Sequence, residues 1–465
     1  ESSPPHLQTL NDFSIDTYSF LMPAPFDPVD VIGLPIDQKR SLQGERLKAL
    51  VARLASCGNP FWSERLADVE PSSINSVDDL PRLPFTIKQD LRDQYPLGMV
   101  TTPMEATTRI HASSGTSGKP TIVVYTPPDL AVWAEVNARA LALAGTRSDD
   151  VLHNGYGYGL FTGGLGLHYG GERLGCTVVP VSGGNTTLQL QLLEDLGSRV
   201  LSATPSFCLV LAERAQAQGI RKRLGVEVGI LGAEPWSEGM RKRIHDAWGG
   251  NFTALDIYGL SEVIGPGVAM EAPDDLGALN VFDDHFLPEI VDLETGLPLP
   301  DGEFGELVIT TLTKEAMPVL RYRTGDITRI LSDEGDTAGP GTRNWTRLAR
   351  LTGRADDMLI IRGINVYPRE IETVLMEDPD VGANYAIVVD RRGTMAELRV
   401  RAEATSNATA RGHLDTGAER LAKVLANRIR IRTAVELVAE GSMPRTEVGK
   451  VKRVFEQVDD NDPLV

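Results

Sequence analysis

The sequence predicts an α/β protein in two parts. A large N-terminal domain, residues 1–353, carries parallel-rich sheets covered by helices, and a small α+β domain follows over residues 354–465. Two observations carry this expectation. Between residues 150 and 259, short apolar runs rich in β-branched residues alternate with helical stretches, the pattern of a parallel sheet covered on both faces. After "LTGRADDML" that alternation gives way to alternating-pattern strands and helices with a core of their own.

The strands of the first part read as "DVLHNG" (150–155), "CTVVPV" (176–181), "RVLSAT" (199–204), "VEVGILG" (226–232) and "TALDIYG" (253–259). Between strands, "SEGMRKRIHDAW" sets Met240, Ile244 and Trp248 four apart behind a Ser237 cap, which predicts a helix with one apolar face. Ligands of such sheets bind at the carboxyl ends of the strands. The glycine-rich stretches 155–166, 232–236 and 259–267 each follow a strand and are the expected site. In the second part, "DMLIIRG" reads as a strand and "YPREIETVLM" as a helix with Pro368 in its first turn. "NYAIVVDRRG" and "AELRVRAEA" read as strands, residues 417–431 as a helix and "TAVELVA" as a last strand. The polar 353–357 stretch is the joint, and "SNATARGHLDTG" (406–417) reads as a mobile loop.

With 465 residues, 42% of them hydrophobic, the chain can bury a substantial core. Its net charge of −18 argues against nucleic acid or an anionic membrane as partner. Any polyanion must therefore be met by a local, pre-arranged site. Cys57, Cys176 and Cys208 are widely spaced, fit neither a disulfide framework nor a zinc pattern, and read as small buried apolar residues in a reducing compartment. No leader-like segment or apolar run of membrane-spanning length is seen, so a cytoplasmic location is expected. The basic runs at 221–223 and 241–243 read as solvated helix ends.

"SSGTSGKP" (113–120) combines small residues, hydroxyls and Lys119, a composition that wraps an anion or, equally, forms a solvated turn. It is not a P-loop, because only Thr116 and Ser117 separate its glycines and Pro120 stands where that motif needs Ser or Thr. "GYGYGLFTGGLG" (155–166) is not a dinucleotide fingerprint either, since Thr162 takes the third glycine position.

"SSGTSGKP", "GAEPW" (232–236), "YGLSE" (258–262), "YRTGD" (322–326), "GRADD" (353–357) and "PRTEVGK" (444–450) follow the order and spacing of the adenylate-forming ligases. With "RIHASSGTSGKPTIVVYT", "YGYGLFTGGLGLHYG", "YGLSEVIGPGVAMEA" and "LIIRGINVYPREIE", the chain resembles the phenylacetate–coenzyme A ligases over most of its length. The resemblance implies a two-step reaction. An aromatic carboxylate joins the α-phosphorus of ATP with release of pyrophosphate, and the thiol of coenzyme A then attacks the acyl adenylate. ATP, Mg2+ and coenzyme A are the implied cofactor and co-substrates, and the small domain is implied to be mobile, swinging between the steps. Such chemistry needs positioning and charge neutralisation more than covalent help.

Residue by residue, the resemblance puts Ser113, Ser114, Gly115, Thr116, Ser117, Gly118 and Lys119 around the β- and γ-phosphates. Gly232, Ala233, Glu234 and Pro235 would stand beside adenine, Tyr258 and Gly259 on its other face, and Asp256 at its amino group. Asp326 and Arg354 would meet the ribose, Glu262 magnesium, and Lys450 the carboxylate and α-phosphate together. Asp356 falls at the hinge and Gly363 on the thiol's approach, while Lys452 reads as solvated. The "PRTEVGK" loop is one residue longer than the Ser-Glu-Gly-Lys form usual in the phenylacetate ligases. Tyr156, Tyr158, Phe161 and Gly163, with Ile264 and Pro266 opposite, would form a pocket for a neutral ring, plain core packing being the competing reading of the aromatics. His168 reads as a satisfied polar residue. No structural zinc is expected, because Ala272 replaces the family's cysteine. Three points stay open: a carrier protein or an amine as acceptor, a non-catalytic nucleotide-binding module, and a homodimer.

Overall fold

The computed structural model describes residues 33–113, 120–332, 343–355, 357–362, 364–393, 396–412, 414–444 and 451–464. Residues 114–119, Asp356, Gly363 and Lys450 lie outside them.

β1 (Arg109–Ser113) and β2 (Thr121–Tyr125) pair antiparallel, Ser113 opposite Thr121. The main sheet contains β3 (Val151–Asn154), β4 (Thr177–Val179), β5 (Val200–Ala203), β6 (Val228–Gly232) and β7 (Thr253–Leu260). These are the five runs read from the sequence, and they pair in parallel. Val200 and Leu201, neighbours on β5, enter opposite hydrophobic cores, so both faces of this half are buried.

The other half differs from the expectation. β8 (Ile264–Ala272), β9 (Asp275–Val281) and β13 (Thr346–Ala349) extend the sheet antiparallel, giving eight strands in the order β13-β9-β8-β7-β6-β5-β3-β4. The 259–267 stretch is therefore a strand–turn–strand and not a loop before a helix. Glycine permits it: a Cβ on Gly259 would stand 2.7 Å from the Ile264 carbonyl oxygen. A second sheet that the sequence reading missed joins β10 (Phe286–Val291), β11 (Gly305–Thr311), β12 (Tyr322–Thr328) and β14 (Gly353–Arg354), all antiparallel.

Helix α1 (Ile36–Ser56) packs into the N-terminal core, and α2 (Pro127–Leu143) and α3 (Gly163–Leu174) lie together on one face of the main sheet. On the opposite face lie α4 (Pro205–Ala217) and α5 (Glu238–Trp248). Ser237 caps α5 by accepting from Met240 N at 3.2 Å, and Met240, Ile244 and Trp248 are buried.

The "RKR" run inside α5 is not a solvated helix end. Arg241 is buried and donates to both carboxylate oxygens of the fully buried Glu271, at 2.7 and 2.9 Å. Arg243 gives its guanidinium to the carbonyls of Leu375, Met376, Asp378 and Val381. Of the three, only Lys242 is solvated, pairing with Asp246. Helical periodicity turns 241 toward the sheet and 243 toward the C-terminal part. In the run at 221–223, Arg221 lies over the Trp248 ring and Arg223 is exposed.

The C-terminal part begins with a hairpin, β15 (Leu359–Ile361) and β16 (Ile364–Val366), and α6 (Pro368–Glu377) with proline in its first turn. Its sheet, in the order β19-β18-β17-β20, contains β17 (Val381–Asp390), β18 (Glu397–Ala404), β19 (Thr433–Val438) and the unanticipated β20 (Val454–Gln457). The 406–417 stretch is helical rather than a loop: Thr405 caps α7 (Ser406–Arg411), and α8 (Leu414–Ile429) starts within it. This part docks on α5, where Ser237 N donates to Glu372 Oε1 at 3.0 Å and Trp236 and Met240 share a core with Ile371 and Leu375.

Cys176 and Cys208 are buried, and burial pushes both thiols up to about 12. Cys57 is only half-buried, against expectation. Among the described residues no helix is long and apolar enough to cross a membrane.

Arg241→Ala is expected to strand the Glu271 carboxylate, the kind of loss that costs roughly 3–5 kcal/mol when one partner of a buried pair is removed. Urea unfolding measures this as a lower midpoint with an unchanged slope.

Candidate active site

The site is built where β6, β7 and β12 end. After β6 the chain turns through Gly232 and Ala233, the latter at φ +70°. Glu234 then accepts from Ser206 N at 2.7 Å and so caps the first turn of α4. Asp256 and Tyr258 share one face of β7, two residues apart. The Asp256 amide donates to Glu271 at 2.7 Å, and its carboxylate lies 3.5 Å from Arg350. Arg350, which the sequence reading missed, lies over the Trp236 ring, as does Arg241. The Asp256 carboxylate is thus already faced by a cation, not open to an adenine amino group alone.

The firmest geometry centres on Asp326, buried in β12. Its Oδ2 accepts from the Tyr258 hydroxyl at 2.6 Å and its Oδ1 from Arg354 Nη1 at 2.9 Å. Asp326 and Arg354 are direct neighbours across β12 and β14, which sets their spacing. Burial and the Asp326 charge together hold the Tyr258 phenol well above its ordinary range, so it stays a donor.

Glu262 occupies the turn between β7 and β8 and is buried, yet its carboxylate has no hydrogen bond or ion pair among the described residues. Its oxygens are not among the sealed polar atoms left without a partner, so they keep access to solvent and fit a magnesium ion that takes its other oxygens from phosphates and water. Among the described residues no cluster of three His, Cys, Asp or Glu is placed to hold a metal. Beneath the turn lies Lys314, another residue the sequence reading passed over, whose ammonium burial pushes down to about 8.

The aromatic residues divide. Tyr156 is buried, its hydroxyl near the Gly232 backbone but without a hydrogen-bond partner among the described residues. The Tyr158 hydroxyl accepts from Asn154 at 2.8 Å and lies 3.2 Å from His168 Nδ1, while His168 Nε2 meets Glu172. The Phe161 ring covers Gly163, where a Cβ would come within 2.5 Å of it. Pro266 lies against Gly166 on α3, and its carbonyl accepts from Trp133 and Asn137 at 3.0 Å each. The loop carrying Phe161 is fixed from β1, where His111 Nδ1 and the Ala112 amide both donate to the Leu160 carbonyl at 3.0 Å.

The sequence pattern of the AMP-binding enzymes matches residues 48–313, and that of the AMP-binding enzyme C-terminal domain matches residues 363–457. The chain belongs to the AMP-binding, adenylate-forming enzymes. Within that family, it is 48% identical to the phenylacetate–coenzyme A ligase of Thermus thermophilus, covering 91% of this chain and 97% of that one. The Escherichia coli phenylacetate–coenzyme A ligase is 45% identical, over 92% and 97%. This AMP-binding enzyme is thus an AMP-forming acid–thiol ligase of the phenylacetate–coenzyme A ligase type.

Among solved structures, 2-hydroxyisobutyryl-CoA ligase in the postadenylation state with 2-HIB-AMP superimposes at a TM-score of 0.84, with 26% identity over 92% of this chain and 91% of that one. The same neighbour in its thioesterification state, with 2-HIB-AMP and CoA, reaches only 0.67 over 93% and 92%, again at 26% identity. Sequence and coverage being equal, the difference is one of arrangement, and this AMP-binding enzyme stands closer to the postadenylation state.

Tyr258→Phe removes one donor from Asp326, a hydrogen bond to a charged group of about 1.5–3 kcal/mol. ATP affinity measured by calorimetry is expected to fall by about tenfold, together with a lower melting temperature, because the same bond joins the two sheets.

Proposed function

We propose that this enzyme activates phenylacetate or a closely related neutral aryl acid with ATP and passes the acyl group to coenzyme A. The observation that carries the reading is the 48% identity to a phenylacetate–coenzyme A ligase over nearly the full length of both chains. No observation favours a non-catalytic module, a carrier protein or an amine as acceptor.

Asp326 meets the ribose hydroxyls with its carboxylate, whose plane the Tyr258 and Arg354 donors fix. Gly232–Pro235 and Tyr258 flank adenine, with Asp256 at its edge and Tyr156 behind. Glu262 holds magnesium, which when bound neutralises charge on the phosphates. Ser113 to Lys119 wrap the β- and γ-phosphates. Phe161, Gly163, Ile264 and Pro266 hold the ring, with Tyr158 at the rim. Lys450 neutralises the charge that builds as the carboxylate attacks the α-phosphorus.

The boundary between the two domains falls at 353/354, with the hinge at Asp356. After the first step the C-terminal domain swings, withdrawing Lys450 and bringing Gly363 and its hairpin to the thiol's path. The better fit to a postadenylation structure than to a thioesterification structure supports a starting point on the adenylation side. A cytoplasmic location is part of the reading, supported by three cysteines that form no disulfide. A homodimer is also part of it, to be checked by sedimentation.

Lys450→Ala is expected to slow acid-dependent pyrophosphate release by about 10² or more, while thioester formation from supplied phenylacetyl adenylate stays near normal. Equal loss in both half-reactions would assign the lysine a structural role. Phe161→Ala is expected to lower kcat/KM for phenylacetate by about 1–3 kcal/mol and to change acetate little. Unchanged discrimination in that variant would put the ring elsewhere.

A further inference from the structure

We propose that Lys314 is a positioning residue for the first half-reaction: it fixes the turn that carries Glu262, and with it the place where magnesium and the phosphates of ATP are held. The inference rests on the reading of Glu262 as the magnesium-facing carboxylate.

The Lys314 side chain is buried, and its ammonium donates to two consecutive carbonyls of that turn, Glu262 O at 3.1 Å and Val263 O at 2.9 Å. It also lies 4.9 Å from the centroid of the Tyr125 ring. The Asp129 and Glu262 carboxylates, beyond ion-pair distance, support its charge through the field. A buried ammonium is expensive unless its hydrogens are taken up, and the two carbonyls that take them both belong to this turn.

The other end of the strut is anchored. The Lys314 carbonyl accepts from Arg53 Nη2 at 2.7 Å, and Thr101 Oγ1 donates to the Glu315 carbonyl at 2.7 Å. The amides of Glu315 and Ala316 donate to the two carboxylate oxygens of Asp129, at 2.6 and 3.0 Å. Asp129 lies in the first turn of α2, in a capping box with Thr126. The turn opposite has a Val263–Leu260 backbone bond at 3.1 Å, whereas Ile264 beyond it is already held in the strand ladder. Lys314 therefore transmits the rigidity of the α2 end to Glu262, and its loss frees that carboxylate more than it disturbs the acid pocket.

The test compares the full-length wild type with Lys314→Met, Lys314→Arg and Glu262→Gln, each first shown by thermal melting to be folded. Calorimetry follows binding of a non-hydrolysable ATP analogue as Mg2+ is varied, and pyrophosphate release gives KM for ATP and for phenylacetate. Lys314→Met is expected to weaken magnesium-dependent binding by about tenfold while KM for phenylacetate stays within about twofold. Lys314→Arg, which keeps a cation, should recover most of the loss, and adding Lys314→Met to Glu262→Gln should weaken binding no further. If Lys314→Met binds like the wild type while Glu262→Gln loses the magnesium dependence, the inference is overturned and the reading of Glu262 stands. If Glu262→Gln itself binds like the wild type, that reading fails and the inference goes with it. Parallel losses in ATP and phenylacetate KM, or an arginine variant no better than methionine, mark a merely structural lysine and also overturn it. Should the methionine variant not fold, Lys314→Gln carries the same comparison.

Discussion

The carboxylate of Asp326 is the constraint on which the rest of the site depends. It is buried on β12 and held from two sides, by the Tyr258 hydroxyl of the main sheet and by the Arg354 guanidinium of β14. Those two bonds connect three pieces of structure: the strand that also carries Asp256, the second sheet, and the last residues before the joint. A buried carboxylate has to be hydrogen-bonded to stay charged. The sheets must therefore meet in a register that brings the Tyr258 hydroxyl and the Arg354 guanidinium to it. The 232–235 turn and the Glu262 turn follow the neighbouring strands β6 and β7.

Around that centre the molecule spends charge internally. Arg241, Arg350, Glu271 and Asp256 form a buried group against Trp236, and Arg243 takes the carbonyls at the C-terminal end of α6. Both arrangements lie between the nucleotide side and the C-terminal part. The docking of that part therefore rests on a few directional bonds, Ser237 to Glu372 and Arg243 to the helix end, alongside shared apolar contacts. Directional bonds of this kind break one by one when a domain turns, which is compatible with the swing proposed for this part.

The parallel half of the sheet was legible in the sequence because strands buried on both faces need unbroken apolar runs, as in "VEVGILG". The antiparallel half was not, because its turn is built from glycines that also read as a ligand loop, and the decision between them rests on pairing partners distant in sequence. The short helix over Ser406–Arg411 was missed because its polar residues resemble a loop until Thr405 caps it. Arg241 and Arg243 were misread for a related reason: a run of like charges looks solvated until tertiary partners such as Glu271 and the end of α6 are known. Within the candidate site, Tyr258, Asp326 and Arg354, singled out through the motifs that carry the family resemblance, do come together in space. Lys314 and Arg350 act through buried neighbours and leave no such local mark. The aromatic loop was legible as aromatic residues set between glycines, but how each packs depends on partners the sequence does not place: Tyr156 is fully covered, while Phe161 lies over Gly163.

The central claim is that the acid is activated on the large domain before coenzyme A takes part. The most direct measurement is exchange of labelled pyrophosphate into ATP with phenylacetate present and coenzyme A absent. The expected result is exchange that requires phenylacetate and Mg2+ and proceeds without the thiol. Exchange that appears only when coenzyme A is added, or none with any aryl acid, would contradict it.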